Sequence, residues 1–131
     1  MGAGGNGTEK PMGLAFAYTG LGHLKVSIAL SGVKWTCAIT GDEITSDIEI
    51  TYTPRGALLE YTALQRLIDE TARSRTWTAE ELADSLAALL AAHLEAARNG
   101  GQPPCVKVAI RFPEGERMRI AVKAVYPKDC A

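Results

Sequence analysis

The 131-residue sequence has little of what marks several functional classes. It holds only two histidines and three cysteines, and Cys37, Cys105 and Cys130 are widely spaced with no CxxC pair. Such a set does not complete a usual zinc cluster, so no metal is expected. The odd, scattered cysteines point to a reducing, cytoplasmic compartment with at least one free thiol. No apolar run approaches the roughly 18 residues of a membrane span. The first residues lack the basic region and apolar core of a secretion signal, and no membrane partner is expected. Neither sign of charge dominates: 14 basic residues face 15 acidic ones, for a net charge of −1. That balance argues against a general nucleic-acid or membrane-surface binder, though not against a local basic patch. What the chain does have is 47% hydrophobic residues, enough to bury a core in one domain.

Residues 1–16 read as a flexible Gly-rich tail and 17–131 as a single domain. Gly2, Gly4 and Gly7 spell GxGxxG, but no strand precedes them and no helix follows, so the match carries no meaning. The myristoylation pattern fails at Asn6.

Leu24, Val26, Ile28 and Leu30 alternate with Lys25, Ser27 and Ala29, as in a half-buried strand. A second strand sets Ile48, Ile50 and Tyr52 against Asp47, Glu49 and Thr51. The stretch SGVKWTCAITGDEITS between them reads as a loop or irregular strand. Leu64, Leu67, Ile68 and Thr71 predict a helix over 60–72. Thr78 and Glu81 form a capping box that opens a second helix running to about Arg98. Two further strands alternate through Val106, Val108, Ile110 and Phe112 and through Met118, Ile120 and Val122, with Pro113-Glu114-Gly115-Glu116 as their turn. The order β-β-α-α-β-β implies an α+β fold: a four-stranded antiparallel sheet with two helices on one face. The other face is mostly basic, with Lys25, Lys107, Arg111, Arg119 and Lys123 opposing Asp47 and Glu49. Its unpaired edges are expected to be closed by oligomerisation into a barrel.

Cys37 lies just before a strand, with Thr40, Gly41, Asp42 and Glu43 nearby. A thiol attacks only as thiolate, so it needs partial exposure and a stabilising or proton-accepting neighbour. Cys37-Ala-Ile-Thr-Gly, followed by a strand ending Tyr52-Thr53-Pro54, resembles the 7-cyano-7-deazaguanine (preQ0) reductase, or QueF, family of the tunnelling fold (T-fold). That family carries Cys-Pro-x-Thr-Gly and then a strand ending Tyr-x-Pro, at the same separation. YTPRGALLEYTALQRLI and EELA look closer still to the shorter QueF-like branch, which converts the nitrile of 7-cyano-7-deazaguanine in tRNA to the amidine of archaeosine. The resemblance covers roughly residues 24–125.

The departures are specific. The reductases' NADPH motif, Glu-Ser-Lys-Ser-Leu-Lys, falls on Glu60-Tyr61-Thr62-Ala63-Leu64-Gln65, so both lysines are lost. The family Asp falls on Ile44, with Asp42, Glu43 and Asp47 close by, and Asp42 is the expected substitute. With one loop residue inserted, the family His-Glu pair falls on Ala79-Glu80, keeping only the Glu.

The resemblance therefore implies a non-reductive enzyme needing no cofactor, an amidinotransferase with ammonia as possible co-substrate. It implies Cys37 and Asp42 as catalytic residues and Glu80, Glu60 and Trp77 as substrate-binding ones. The substrate would be 7-cyano-7-deazaguanine, free or in tRNA, and the assembly a homo-oligomer, possibly a decamer of two pentamers. The alternatives are an NADPH-dependent reductase and a non-catalytic module that binds a purine-like ligand or another protein. Taken alone, the same residues have plainer roles. Glu60, Glu80 and Glu81 suit the first turn of a helix, and Trp35 and Trp77 suit core edges as well as base stacking. Arg55 suits a solvated turn, Cys105 core packing, and Cys130 an incidental place in the C-terminal tail.

Overall fold

The computed structural model describes residues 13–18, 24–98, 103–112, 120–128 and 130. The elements follow as β1 (Ala15–Ala17), β2 (Val26–Cys37), β3 (Glu43–Tyr52), β4 (Ala57–Leu59), α1 (Tyr61–Arg73), β5 (Thr76–Trp77), α2 (Ala79–Ala97), β6 (Val106–Arg111) and β7 (Ala121–Tyr126). The main sheet runs β5-β2-β3-β6-β7, and β1 pairs with β4 in a small second sheet.

The four expected strands are β2, β3, β6 and β7, all antiparallel neighbours. The expected four-stranded layout is corrected by β5, which pairs parallel to the end of β2 through Thr36↔Thr76 and Cys37↔Trp77. Two residues are too few to show a period in sequence, and this strand exists because Trp77 is held there by tertiary contacts.

The segment between Leu30 and Ile44 is also mostly strand rather than loop. A bulge puts two residues, Ser31 and Gly32, opposite Asp47 alone. Gly32 supplies the positive φ, 73°, that this needs. The extra residue switches the buried parity of β2 from Val26, Ile28 and Leu30 to Val33, Trp35 and Cys37. That phase slip hides the strand from an alternation pattern, and it turns Cys37 toward the core side of the sheet.

Both helices cover that side. α1 buries Leu64, Ile68 and Ala72 against β2, and α2 buries Leu82, Leu86, Leu90 and Leu94 over β6 and β7. The opposite face carries exposed Lys107 and Lys123, with Arg111 bonded diagonally to Glu49 at 3.2 Å. Arg119, Met118, His23 and the Pro113–Glu116 turn lie outside the described residues.

Three expectations change. The tail boundary at residue 16 does not hold: Leu14 is buried, its carbonyl accepts the Glu60 N–H at 2.7 Å, and Ala15–Ala17 forms β1. Residues 1–12 lie outside the described set. Cys105 and Cys130 are neither core filler nor incidental, because they form a disulfide with Cα atoms 5.9 Å apart. It removes the ground for reading a reducing compartment, and it leaves Cys37 as the free thiol. Arg55 is more than a solvated turn residue, since Nη1 donates to the Pro103 carbonyl at 3.0 Å. No helix among the described residues is long and apolar enough to cross a membrane.

Candidate active site

Cys37 ends β2, and the chain turns immediately. Its N–H donates to the Asp42 carbonyl and its own carbonyl accepts the Gly41 N–H, both at 2.9 Å. Gly41, at φ 78°, makes this reversal possible. The next residue is clamped from the other side, as the Ala38 N–H donates to the Trp77 carbonyl at 2.7 Å. The half-buried thiol is thus fixed by hairpin and neighbouring strand together.

The thiol is held below its ordinary value. The N–H and hydroxyl of Thr40 stabilise the thiolate most, followed by the Ile39 N–H, while burial and the Asp42 carboxylate oppose them. Converging N–H groups in a tight turn form an anion-binding nest.

Cys37 opens on a concavity of ≈ 250 Å³. Trp35 and Ile44 form its floor, and Phe112, Ile120 and Val122 its apolar wall. Trp35 is locked in place: its indole N–H donates to buried Ser46 at 3.1 Å, and Phe112 meets the ring edge-to-face at 6.4 Å. The first turn of α2 contributes Thr78, Ala79 and Glu80 to the same concavity.

The capping box explains why Glu80 is available. Thr78 Oγ1 accepts the Glu81 N–H, and Glu81 accepts the Thr78 N–H in return, each at 3.1 Å. Glu81 is thereby spent on the cap, with Arg75 at 3.9 Å. Glu80 is exposed on the rim, and its carboxylate has no hydrogen bond or ion pair to the described residues.

Of the five residues expected from sequence, the structure brings Cys37 and Glu80 to one concavity. Asp42 shares the turn of Cys37 but does not line the concavity. Glu60 caps a helix, the plainer of the two roles expected for it. Its two carboxylate oxygens accept the Thr62 and Ala63 N–H groups, each at 2.9 Å, which holds its carboxyl below the usual range. Trp77 is buried, as in the plainer of the two roles expected for it. Its indole N–H is shared by the Thr71 and Ala72 carbonyls at the end of α1, and Arg75 lies 3.7 Å over its ring. Neither residue lines the concavity.

Sequence reasoning missed Thr40, although it lies inside the quoted motif, and it missed the wall formed by Phe112, Ile120 and Val122. Strand alternation had marked those three as apolar without saying what they enclose. Among the described residues, no group of three or more His, Cys, Asp or Glu side chains is placed to hold a metal.

The fold and the rim define an α+β protein whose free cysteine and a carboxylate unpartnered among the described residues line a small apolar hollow. No family model matches the chain, and no curated protein matches it in sequence. Among solved structures it is similar to the apo crystal structure of the archaeosine synthase QueF-Like, with a TM-score of 0.60 and 26% identity. That likeness covers 77% of this chain and 91% of the other. The likeness supports the T-fold architecture expected from the Cys-to-Tyr segment.

Proposed function

We propose that this protein is a non-reductive nitrile-converting enzyme that acts on 7-cyano-7-deazaguanine, as an amidinotransferase forming archaeosine in tRNA. The observation that carries this is Cys37, readied by its turn and lining one hollow with Glu80, in a fold similar to that of an archaeosine synthase. The likeness supports a related role in 7-deazaguanine modification.

The Cys37 thiolate adds to the nitrile carbon, forming a C–S bond while the nitrogen takes up a proton. The product is a covalent thioimide. Ammonia then adds to the same carbon, the C–S bond breaks, and thiolate leaves as the amidine forms. Nitrile plus ammonia gives amidine, with no electrons gained or lost and no reductant required. Thr62 and Gln65, standing at the reductase lysine positions, are consistent with this. Glu80 accepts the N–H edge of the guanine-like base in two hydrogen bonds and orients the nitrile toward Cys37. Asp42, beside Cys37 on the turn, is the proton donor in this scheme. Among the described residues, the outer edge of β7 and the part of β2 ahead of its pairing with β5 are unpaired, which suits closure by further copies of the chain.

The test is intact-protein mass spectrometry after mixing with 7-cyano-7-deazaguanine, with Cys37→Ala as control. An added mass equal to the whole ligand, absent in the control, is expected. The place of Asp42 outside the concavity favours a second reading, a module that binds the base without chemistry. Ligand binding with no adduct in the folded protein would establish that second reading.

A further inference from the structure

The turn that carries Cys37 also carries the most exposed large apolar side chain among the described residues. Ile39 is 79% exposed, ahead of Tyr61 at 59%. Its backbone is nevertheless held. Cys37 bonds to Gly41 and Asp42 through the main chain, the Ala38 N–H donates to the Trp77 carbonyl, and the Asp42 N–H donates to Thr40 Oγ1 at 3.2 Å. These bonds bracket residue 39 on both sides and take nothing from its side chain. Gly, Asn, Asp and Ser are the common turn residues, so the turn itself gives no reason for a β-branched apolar one. A lone apolar side chain on open surface needs no explanation. Ile39, however, lines the concavity of Cys37 and Glu80, together with Ile120, which is also exposed. Ile120 is fixed as well, since its carbonyl accepts the Phe112 N–H at 3.1 Å. The other large apolar lining residues differ in burial: Trp35 is buried, and Ile44, Phe112 and Val122 are half-buried. Ile39 therefore brings to the hollow the largest share of apolar surface that the fold leaves uncovered.

We infer that Ile39 is a substrate-binding residue: its side chain covers the flat face of the base held in the hollow, while Glu80 takes the edge of the base and Cys37 its nitrile. The inference rests on the proposed function and adds the contact that function leaves open. Hydrogen bonds to Glu80 orient the base within its own plane, and they leave its faces to be covered by apolar surface. An aromatic base carries its donors and acceptors on its edge and an apolar face, which suits an aliphatic side chain. The contact is made to the ring and not to the nitrile, so any planar base of this size shares it.

The test compares Ile39→Ser and Ile39→Val with their parent by calorimetry, all in a Cys37→Ala background so that no adduct forms. The ligands are 7-cyano-7-deazaguanine and nitrile-free 7-deazaguanine. A base that covers about half of the Ile39 side chain predicts roughly fivefold weaker binding in Ile39→Ser and about twofold in Ile39→Val. The factors are expected to be the same for both ligands. Tm should not fall, because the fold leaves the side chain bare. In the same two variants with the thiol retained, alkylation of Cys37 by iodoacetamide should proceed at the wild-type rate, because main-chain bonds hold the turn. Unchanged affinity in Ile39→Ser would overturn the inference and leave the proposed function standing. A loss confined to the nitrile ligand, with altered alkylation, would mark a distorted turn and would overturn it too. A smaller particle by light scattering with unaltered affinity would assign Ile39 to a contact between copies of the chain, again against the inference. A parent protein that binds neither base would overturn the proposed function itself, and this inference with it.

Discussion

Breaking the Cys105–Cys130 bond is the perturbation whose size is best defined. The bond joins the residue before β6 to the segment after β7 across a sequence separation of 25. Its two ends are already neighbours in the sheet, where Val106 pairs with Tyr126. Reduction therefore leaves the folded ladder intact and acts mainly by freeing the unfolded chain. Closing a loop of that length lowers unfolded-state entropy by an amount worth roughly 3.5 kcal/mol at 25 °C. An unfolding entropy of about 2.1 cal/mol/K per residue over this chain makes 1 kcal/mol worth about 3.6 °C. The expected loss in Tm is then roughly 12 °C. The assay compares thermal melts of the oxidised protein, the protein in a phosphine reductant, and the Cys105→Ser/Cys130→Ser double variant. Mass spectrometry confirms the bond as a deficit of two hydrogens. The double variant should melt with the reduced wild type, and each single variant should match it, because either change opens the same loop. A Tm unmoved by reduction, with the bond verified beforehand, would refute the reasoning, as would two titratable thiols beside Cys37 in the untreated protein.

Other outcomes follow from single side chains. Ser46→Ala leaves the buried Trp35 indole N–H without its acceptor, which should cost about 1–3 kcal/mol by denaturant titration and loosen the floor of the hollow. Glu60 has a folded-state carboxyl depressed by two backbone N–H groups. Its contribution is therefore present above the ordinary carboxylate range and lost as pH falls from that range through the lower folded-state value. Stability against pH should accordingly fall less steeply on the acid side in Glu60→Ala than in wild type, and parallel curves would refute the capping role. Glu80→Gln should weaken binding of 7-cyano-7-deazaguanine roughly tenfold or more by calorimetry while leaving Tm unchanged, since the Glu80 carboxylate has no partner among the described residues.

Periodicity and end signals in the sequence determined most of the elements. Alternation over Val106–Ile110 and a four-residue leucine spacing over Leu82–Leu94 each have one cheap way to bury their apolar side, and the Thr78–Glu81 box has one place to start a helix. The Cys37-to-Pro54 segment, read by resemblance, pointed to the fold that the similar solved structure supports. Tertiary structure decided the rest. A one-residue bulge at Gly32 reversed the parity of β2, and β1 and β5 were too short to announce themselves. Cys105 and Cys130 met because two paired strands carry their ends together, a distance that spacing along the chain does not encode. Glu60 and Glu80 look alike as acids near helix starts. Only the folded chain shows that two backbone N–H groups occupy the first, while Glu81 takes the cap and leaves the second on the concavity that Cys37 also lines. Local patterns specify which faces must be buried. Which side chains then remain unpaired depends on contacts between residues far apart in sequence, and that remainder is where the proposed chemistry lies.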